Sequence, residues 1–110
     1  MNLRLNVNRL GAATVVSVDG EVDLNNSGDV LKGLRACIIE KRDVIVDLSG
    51  VGFMDSSGVA SLIEAFQLAK QSNLRFSLVS VSAAVLRVLR LARLDEVFVI
   101  HPDAETAMAG

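Results

Sequence analysis

Asp55-Ser56-Ser57-Gly58 sets two hydroxyls beside a carboxylate, between the apolar run 44–48 and the amphipathic stretch 59–70. A serine in such a place is a nucleophile, a phosphate acceptor or simply a helix cap. A turn at the end of a buried strand stays on the surface, and the helix it opens leaves backbone N–H groups unpaired. One cap needs one Ser, Thr, Asp or Asn. Here Asp55, Ser56 and Ser57 are all available, so at least one hydroxyl is left for other work. Gly58 removes a side chain and permits close approach by another backbone.

The remaining chemistry is sparse. Cys37 is the only cysteine, which excludes an intramolecular disulfide and a cysteine-built zinc site. On the apolar side of a predicted helix it reads as a small buried hydrophobe. His101 is the only histidine and stands beside Pro102, where a structural or exposed role fits better than catalysis. Arg87, Arg90 and Arg93 recur every three residues; they read as the solvated face of a helix, with a docking stripe as the alternative. Phe53 and Met54 form either an apolar lip for a partner or core packing at the strand exit.

Enzymatic readings fail on their partners. A hydrolase nucleophile elbow needs glycines on both sides of its serine, but Met54 and Asp55 occupy the upstream positions here. Neither a Gly-rich loop ending in lysine nor a histidine pair is present. A phosphoaspartate receiver built on Asp55 would need an acidic pair after a first parallel strand and a late lysine, and residues 97–102 hold no lysine. No catalysis, resident metal or cofactor is therefore expected.

At 110 residues and 51% hydrophobic, the chain fits one domain, 1–110, with a genuine core. With no Trp, no Tyr and four Phe, that core must come mainly from Leu, Val, Ile and Ala. A net charge of −2 gives no electrostatic reason to expect nucleic acid or an anionic membrane, so a protein partner is favoured. The N-terminus Met1-Asn2-Leu3-Arg4-Leu5-Asn6 alternates instead of forming a signal-type apolar stretch, and no run reaches the length of a membrane span. The expectation is a cytoplasmic protein without direct membrane insertion.

The elements that must position the turn are legible from periodicity. Leu3, Leu5 and Val7 alternate with polar residues, a turn follows at 9–11, and 13–19 reads as a second strand, so the chain opens with an antiparallel hairpin. Asn25, Asn26 and Ser27 are candidate N-caps of a helix reaching about Lys41, packed through Val30, Leu31, Leu34, Cys37 and Ile38 and weakened by Gly28 and Gly33. The run 44–48 is a central strand covered on both faces. In the next helix Val59, Leu62, Ile63, Phe66 and Ala69 form the apolar stripe, with Ser61, Glu64, Gln67 and Gln71 opposite. A strand at 74–79, a helix capped by Ser82 and running to about Ala92, a strand at 97–100 and a short helix opened by Pro102 and Asp103 complete the chain. The fold class is α/β: a mixed sheet with about four helices. Right-handed crossovers align the helix starts along one edge, bringing the 23–27 loop near the 55–58 turn.

Phe53-Met54-Asp55-Ser56-Ser57-Gly58 resembles the phosphoacceptor signature of the STAS-domain anti-sigma factor antagonists, and Gly20-Glu21-Val22-Asp23 is similar to that family's Gly-Glu-Leu-Asp. The resemblance spans nearly the whole chain in its order of elements. It implies that Ser56, the first serine after the aspartate, is phosphorylated by an anti-sigma factor that is itself a serine kinase, and that a protein serine phosphatase reverses this. It also implies a partner-binding surface of Asp23, Asn25, Asn26, Asp55, Ser56, Ser57 and Gly58. Because a kinase supplies its own base and metal-bound ATP, Asp55 is expected to cap the helix, while Asp23 either meets the partner or closes its loop. Stand-alone STAS proteins also serve as accessory subunits of ABC-type lipid transporters. Their turn often resembles Asp-Thr-Gly-Gly, so the two serines here favour the sigma-regulatory reading.

Overall fold

The computed structural model describes residues 3–109; Met1 and Asn2, where the N-terminal alternation begins, and Gly110 lie outside the described residues. The order is β1 (Arg4–Leu10), β2 (Ala13–Val22), α1 (Ser27–Ile39), β3 (Asp43–Met54), α2 (Ser56–Gln71), β4 (Phe76–Val79), α3 (Ala83–Leu91), β5 (Val99–His101) and α4 (Ala104–Ala109). Strands lie in the sheet in chain order, with β1 antiparallel to β2 and the other neighbours parallel. This is the expected mixed sheet opened by a hairpin.

Alternation along β3 divides the interior. Val44, Val46 and Leu48 join Val30, Leu34 and Leu62 in the larger core, to which α3 adds Val85 and Leu89. Ile45 points the other way and meets Ala13, Val79 and Ala107 of α4. Phe66, Phe76 and Phe98 pack edge-on or tilted, with ring centroids 5.5–6.5 Å apart. Cys37 is buried and unpaired, and burial, aided by Glu40, pushes its thiol pKa up, as fits an inert core residue.

Several boundaries differ from the sequence reading for local physical reasons. β3 continues past Leu48 to Met54 because β2 follows it through two register shifts, pairing Glu21 with Phe53 and Val22 with Met54. Such irregularities let a strand bend without losing its partner. β1 continues to Leu10, and only its first half gains helix cover: Leu5 packs over α1, where a Cβ on Gly33 would fall 2.8 Å from Leu5 Cδ1. Val7 therefore remains 54% exposed despite the alternation. α1 stops at Ile39, short of Lys41, whose φ of 62° breaks the helix in a left-handed turn. Leu94 carbonyl accepts from the Val97 and Phe98 N–H groups, which holds Val97 in a turn and delays β5 to Val99.

Ser61 overturns the expected polar face of α2. It is buried, with its hydroxyl 3.0 Å from the Ser27 carbonyl of α1 and 3.1 Å from the Ser57 carbonyl of its own helix. A small hydroxyl at this crossing permits close helix approach and finds its acceptors in backbone oxygens. Ala65 is also buried, whereas Ile63 and Phe66 are only half-buried, so the packed stripe is rotated from the one read off the sequence. Ser82 does cap α3, accepting from Val85 N–H at 3.4 Å and donating to the Val51 carbonyl at 2.6 Å. Arg87, Arg90 and Arg93 are all exposed, in keeping with a solvated face.

The crossing of α1 and α2 gives the first test. Ser61→Ala removes a buried hydrogen bond and is expected to cost about 1 kcal/mol, lowering Tm by roughly 4–8 °C. Glu64→Gln removes only the exposed Arg35–Glu64 pair, 3.0 Å apart, and should cost less than about 0.5 kcal/mol. Thermal melts of both variants check the ranking, which reverses if the ion pair holds the helices together.

Candidate functional site

β3 ends at Met54 and α2 begins at Ser56, leaving Asp55 as the single residue between them. Asp55 has an extended backbone, and its Oδ1 accepts from Ser57 N–H at 2.9 Å, Gly58 N–H at 3.3 Å and the Ser57 hydroxyl at 2.5 Å. Its own N–H donates to the Val22 carbonyl at 3.1 Å, tying the start of α2 to the end of β2. Asp55 is thus the helix cap. The Ser57 hydroxyl, followed by the N–H groups of Gly58, Ser57 and Leu24, holds the Asp55 carboxyl below the usual carboxylate range.

The two serines consequently differ. Ser57 is half-buried and its hydroxyl is engaged by Asp55. Ser56 is exposed at the first residue of α2, and its hydroxyl has no hydrogen-bond partner among the described residues.

Gly58 has a different use from the one its sequence position suggested. A Cβ there would fall 2.6 Å from Met54 Cγ and 2.8 Å from Val22 Cγ1. The backbone approaching it belongs to this chain, so the glycine lets α2 start tightly against β2 and β3.

The 23–27 loop lies at the same edge, as expected, but most of its polar groups close the loop itself. Asp23 Oδ1 accepts from Asn25 N–H, and its carbonyl accepts from Asn26 and Ser27 N–H groups. Asn26 occupies the N-cap position of α1 without capping it: its Oδ1 accepts from Asp23 N–H, and its Nδ2 donates to the Glu21 carbonyl. Asn25 is exposed. Between them Leu24 is 79% exposed, a residue that the sequence reading passed over. Its signal was available as a lone leucine among Asp and Asn in a surface loop. The ambiguous pair at the strand exit divides: Phe53 is 48% exposed and Met54 is buried. The edge therefore presents an unengaged serine hydroxyl together with two exposed apolar side chains, Leu24 and Phe53.

Among the described residues no cluster of His, Cys, Asp or Glu is arranged to hold a metal ion. Among the same residues no helix is long and apolar enough to cross a membrane.

Two tests follow from the cap. Gly58→Ala is expected to cost about 1–3 kcal/mol through overpacking against Met54 and Val22, read as a lowered urea midpoint. The pH dependence has a defined sign. Since the folded-state pKa of Asp55 is depressed, its ionised form contributes stability that is fully present above the unfolded value of about 3.9 and is lost as pH falls through the folded value. Asp55→Asn should therefore melt below wild type at pH 6, and the gap should narrow as pH is lowered toward 2. A gap that is constant with pH would contradict this.

A family model described as the STAS domain matches residues 4–107. The anti-sigma-F factor antagonist RsfA of Mycobacterium tuberculosis is 24% identical over 110 residues, covering 97% of this chain and 86% of that protein. A crystal structure of an anti-sigma factor antagonist from Mycobacterium paratuberculosis superimposes with a TM-score of 0.87 and 26% identity, covering 98% of this chain and 92% of the other. The Bacillus cell fate determinant SpoIIAA, in its phosphorylated form, shares the fold with a TM-score of 0.71 and 19% identity, covering 98% of this chain and 97% of that one. These matches bear out the resemblance read from the Asp55 turn, and the chain belongs to the STAS domain family.

Proposed function

We propose that this protein is an anti-sigma factor antagonist, acting in the cytoplasm, whose binding to a kinase-type anti-sigma factor is switched off by phosphorylation of Ser56 and restored by a serine phosphatase. The observation that carries the proposal is the inequality of the two serines. Asp55 engages the Ser57 hydroxyl, while Ser56 is exposed and unpartnered at the same helix start. Support comes also from the naming of relatives as anti-sigma factor antagonists and from the phosphorylated state of one protein of this fold.

In this reading the partner covers the edge by seating on Leu24 and Phe53, around which Asn25, Ser56 and the turn supply polar contacts. Asp23, Asn26, Ser57 and Gly58 act from behind, by holding the two loops in shape. In this reading the chain acts as the kinase's substrate and ligand, and the base and metal-bound ATP come with the kinase.

The physics of the switch is a balance of charges. Phosphate adds about −1.5 to −2 charge and three acceptor oxygens. A helix N-terminus favours such an anion by only about 0.3–1 kcal/mol, and here Asp55 already takes the N–H groups of Ser57 and Gly58. A doubly charged phosphate about 5 Å from a carboxylate is repelled by roughly 2 kcal/mol in a water-like dielectric and roughly 6 at an effective constant near 20. Repulsion therefore dominates, and it grows when a partner dries the edge. Ser56 lies outside the core, so the fold itself is left intact.

Calorimetric titration against the cognate anti-sigma factor tests the proposal. Ser56→Ala should bind like the unmodified protein and persist in the presence of ATP. Phosphorylation should weaken binding at least thirtyfold, the equivalent of about 2 kcal/mol. Ser56→Asp should fall between, having about one charge in place of nearly two. Equal affinity of the phosphorylated and unmodified forms would sink the switch. Capture instead by a transporter ATPase would support the accessory-subunit alternative.

A further inference from the structure

A cavity of about 640 Å³ opens at the end of the sheet away from Ser56. It spans the sheet end where β3 and β4 begin, lined by the last turns of α2 on one face and by the terminal helix α4 on the other. Phe66, Phe76, Val99 and Met108 provide apolar wall, and Asp43, Lys70, Arg75 and His101 stand among the polar groups that line it. Along the axis of α2, Lys70 is roughly 21 Å from Ser56 at 1.5 Å per residue. The cavity is thus a separate site on the same domain, with a size in the ~300–1,000 Å³ range of small-molecule pockets.

Its charges are unbalanced. Lys70 and Arg75 share the lining with one carboxylate, Asp43, whose Oδ1 already accepts from the Arg75 backbone N–H at 2.9 Å. The ion pairs among the described residues are Arg9–Glu40 and Arg35–Glu64, so neither Lys70 nor Arg75 is neutralised. Neighbouring Arg42 adds positive charge at this end, since its guanidinium bonds the Gly11 and Ala13 carbonyls and the Thr14 hydroxyl, and no carboxylate. Lys70 and Arg75 are therefore the free cations of the rim.

We propose that this cavity binds an anionic amphiphile of the fatty-acid class, with its chain against Phe66, Phe76, Val99 and Met108 and its carboxylate on Lys70 and Arg75. Long apolar chains gain affinity per methylene buried, and the two unpaired cations select the sign of the head group. A neutral or cationic amphiphile of equal chain length gains the first contribution without the second. The site is independent of the Ser56 switch, because it shares no residue with the edge that carries Leu24, Phe53 and Ser56.

The test uses dodecanoate, dodecanol and dodecylammonium, each below its critical micelle concentration, titrated into the full chain by calorimetry and by amide NMR shifts. The expected result is saturable binding of one dodecanoate, at least tenfold tighter than dodecylammonium, with shifts concentrated at Ser77, Val99 and Met108. The Lys70→Gln, Arg75→Gln double variant should lose about tenfold in dodecanoate affinity and nothing for dodecanol. Both side chains are on exposed residues, and the wild-type preference for anion over cation is decisive without the variant. Absence of saturable dodecanoate binding, equal affinity for dodecylammonium, or shifts centred on Leu24 and Phe53 would each overturn the proposal.

Discussion

One carboxylate organises the functional edge. Asp55 accepts two backbone N–H groups and the Ser57 hydroxyl through one oxygen, while its own N–H reaches across to the Val22 carbonyl. Those bonds fix where β3 stops, where α2 starts and how both meet the end of β2. They also sort the serines, because a half-buried hydroxyl whose proton is committed to Asp55 is less accessible to the base that an incoming kinase brings than an exposed, unengaged one. Gly58 completes the arrangement by letting α2 start against Met54 and Val22 with no atom in between. The placement of Ser56 is therefore a by-product of good capping, which explains how a residue so exposed sits in so defined a place.

Rigidity beneath and exposure above suit the proposed regulation by an added charge. Asp23 and Asn26 consume their polar groups within the 23–27 loop, so the loop holds its shape without a partner. Leu24 and Phe53 are then displayed at fixed positions on either side of the turn, ready to bury apolar surface. A pre-formed surface loses little entropy on binding, and a phosphate added to it changes electrostatics without requiring a conformational change. The opposite end of α2 carries the cavity with Lys70, so the helix separates two surfaces of different chemistry.

What the sequence disclosed followed from strong, local signals. The 3.6-residue stripe in α1, the continuous apolar run at the start of β3 and the Asp-Ser-Ser-Gly turn each admit few alternatives, and the element order and mixed sheet were legible from them. What stayed hidden depended on contacts between distant segments. Ser61 looked solvent-facing because serine is polar, yet its acceptor is a carbonyl on a different helix. The extension of β3 through Gly50 and Gly52 was masked because these residues signal a turn in isolation, and only pairing with the shifted end of β2 keeps them in a strand. Asn26 looked like a cap and is at the cap position, but a loop bond to Asp23 outcompetes the helix N–H groups. Leu24 was legible as a lone leucine among Asp and Asn, but how far it is exposed depends on the loop's path.

The most direct measurement is site-resolved phosphate occupancy by peptide mapping after incubation with the cognate anti-sigma kinase and ATP, on wild type and on Ser57→Ala. Both proteins should carry phosphate on Ser56, because the acceptor is selected by its free hydroxyl and exposure, and Ser57 contributes only its bond to Asp55. Phosphate found on Ser57 alone in the wild type would contradict the assignment of Asp55 as the group that withholds that hydroxyl from the kinase.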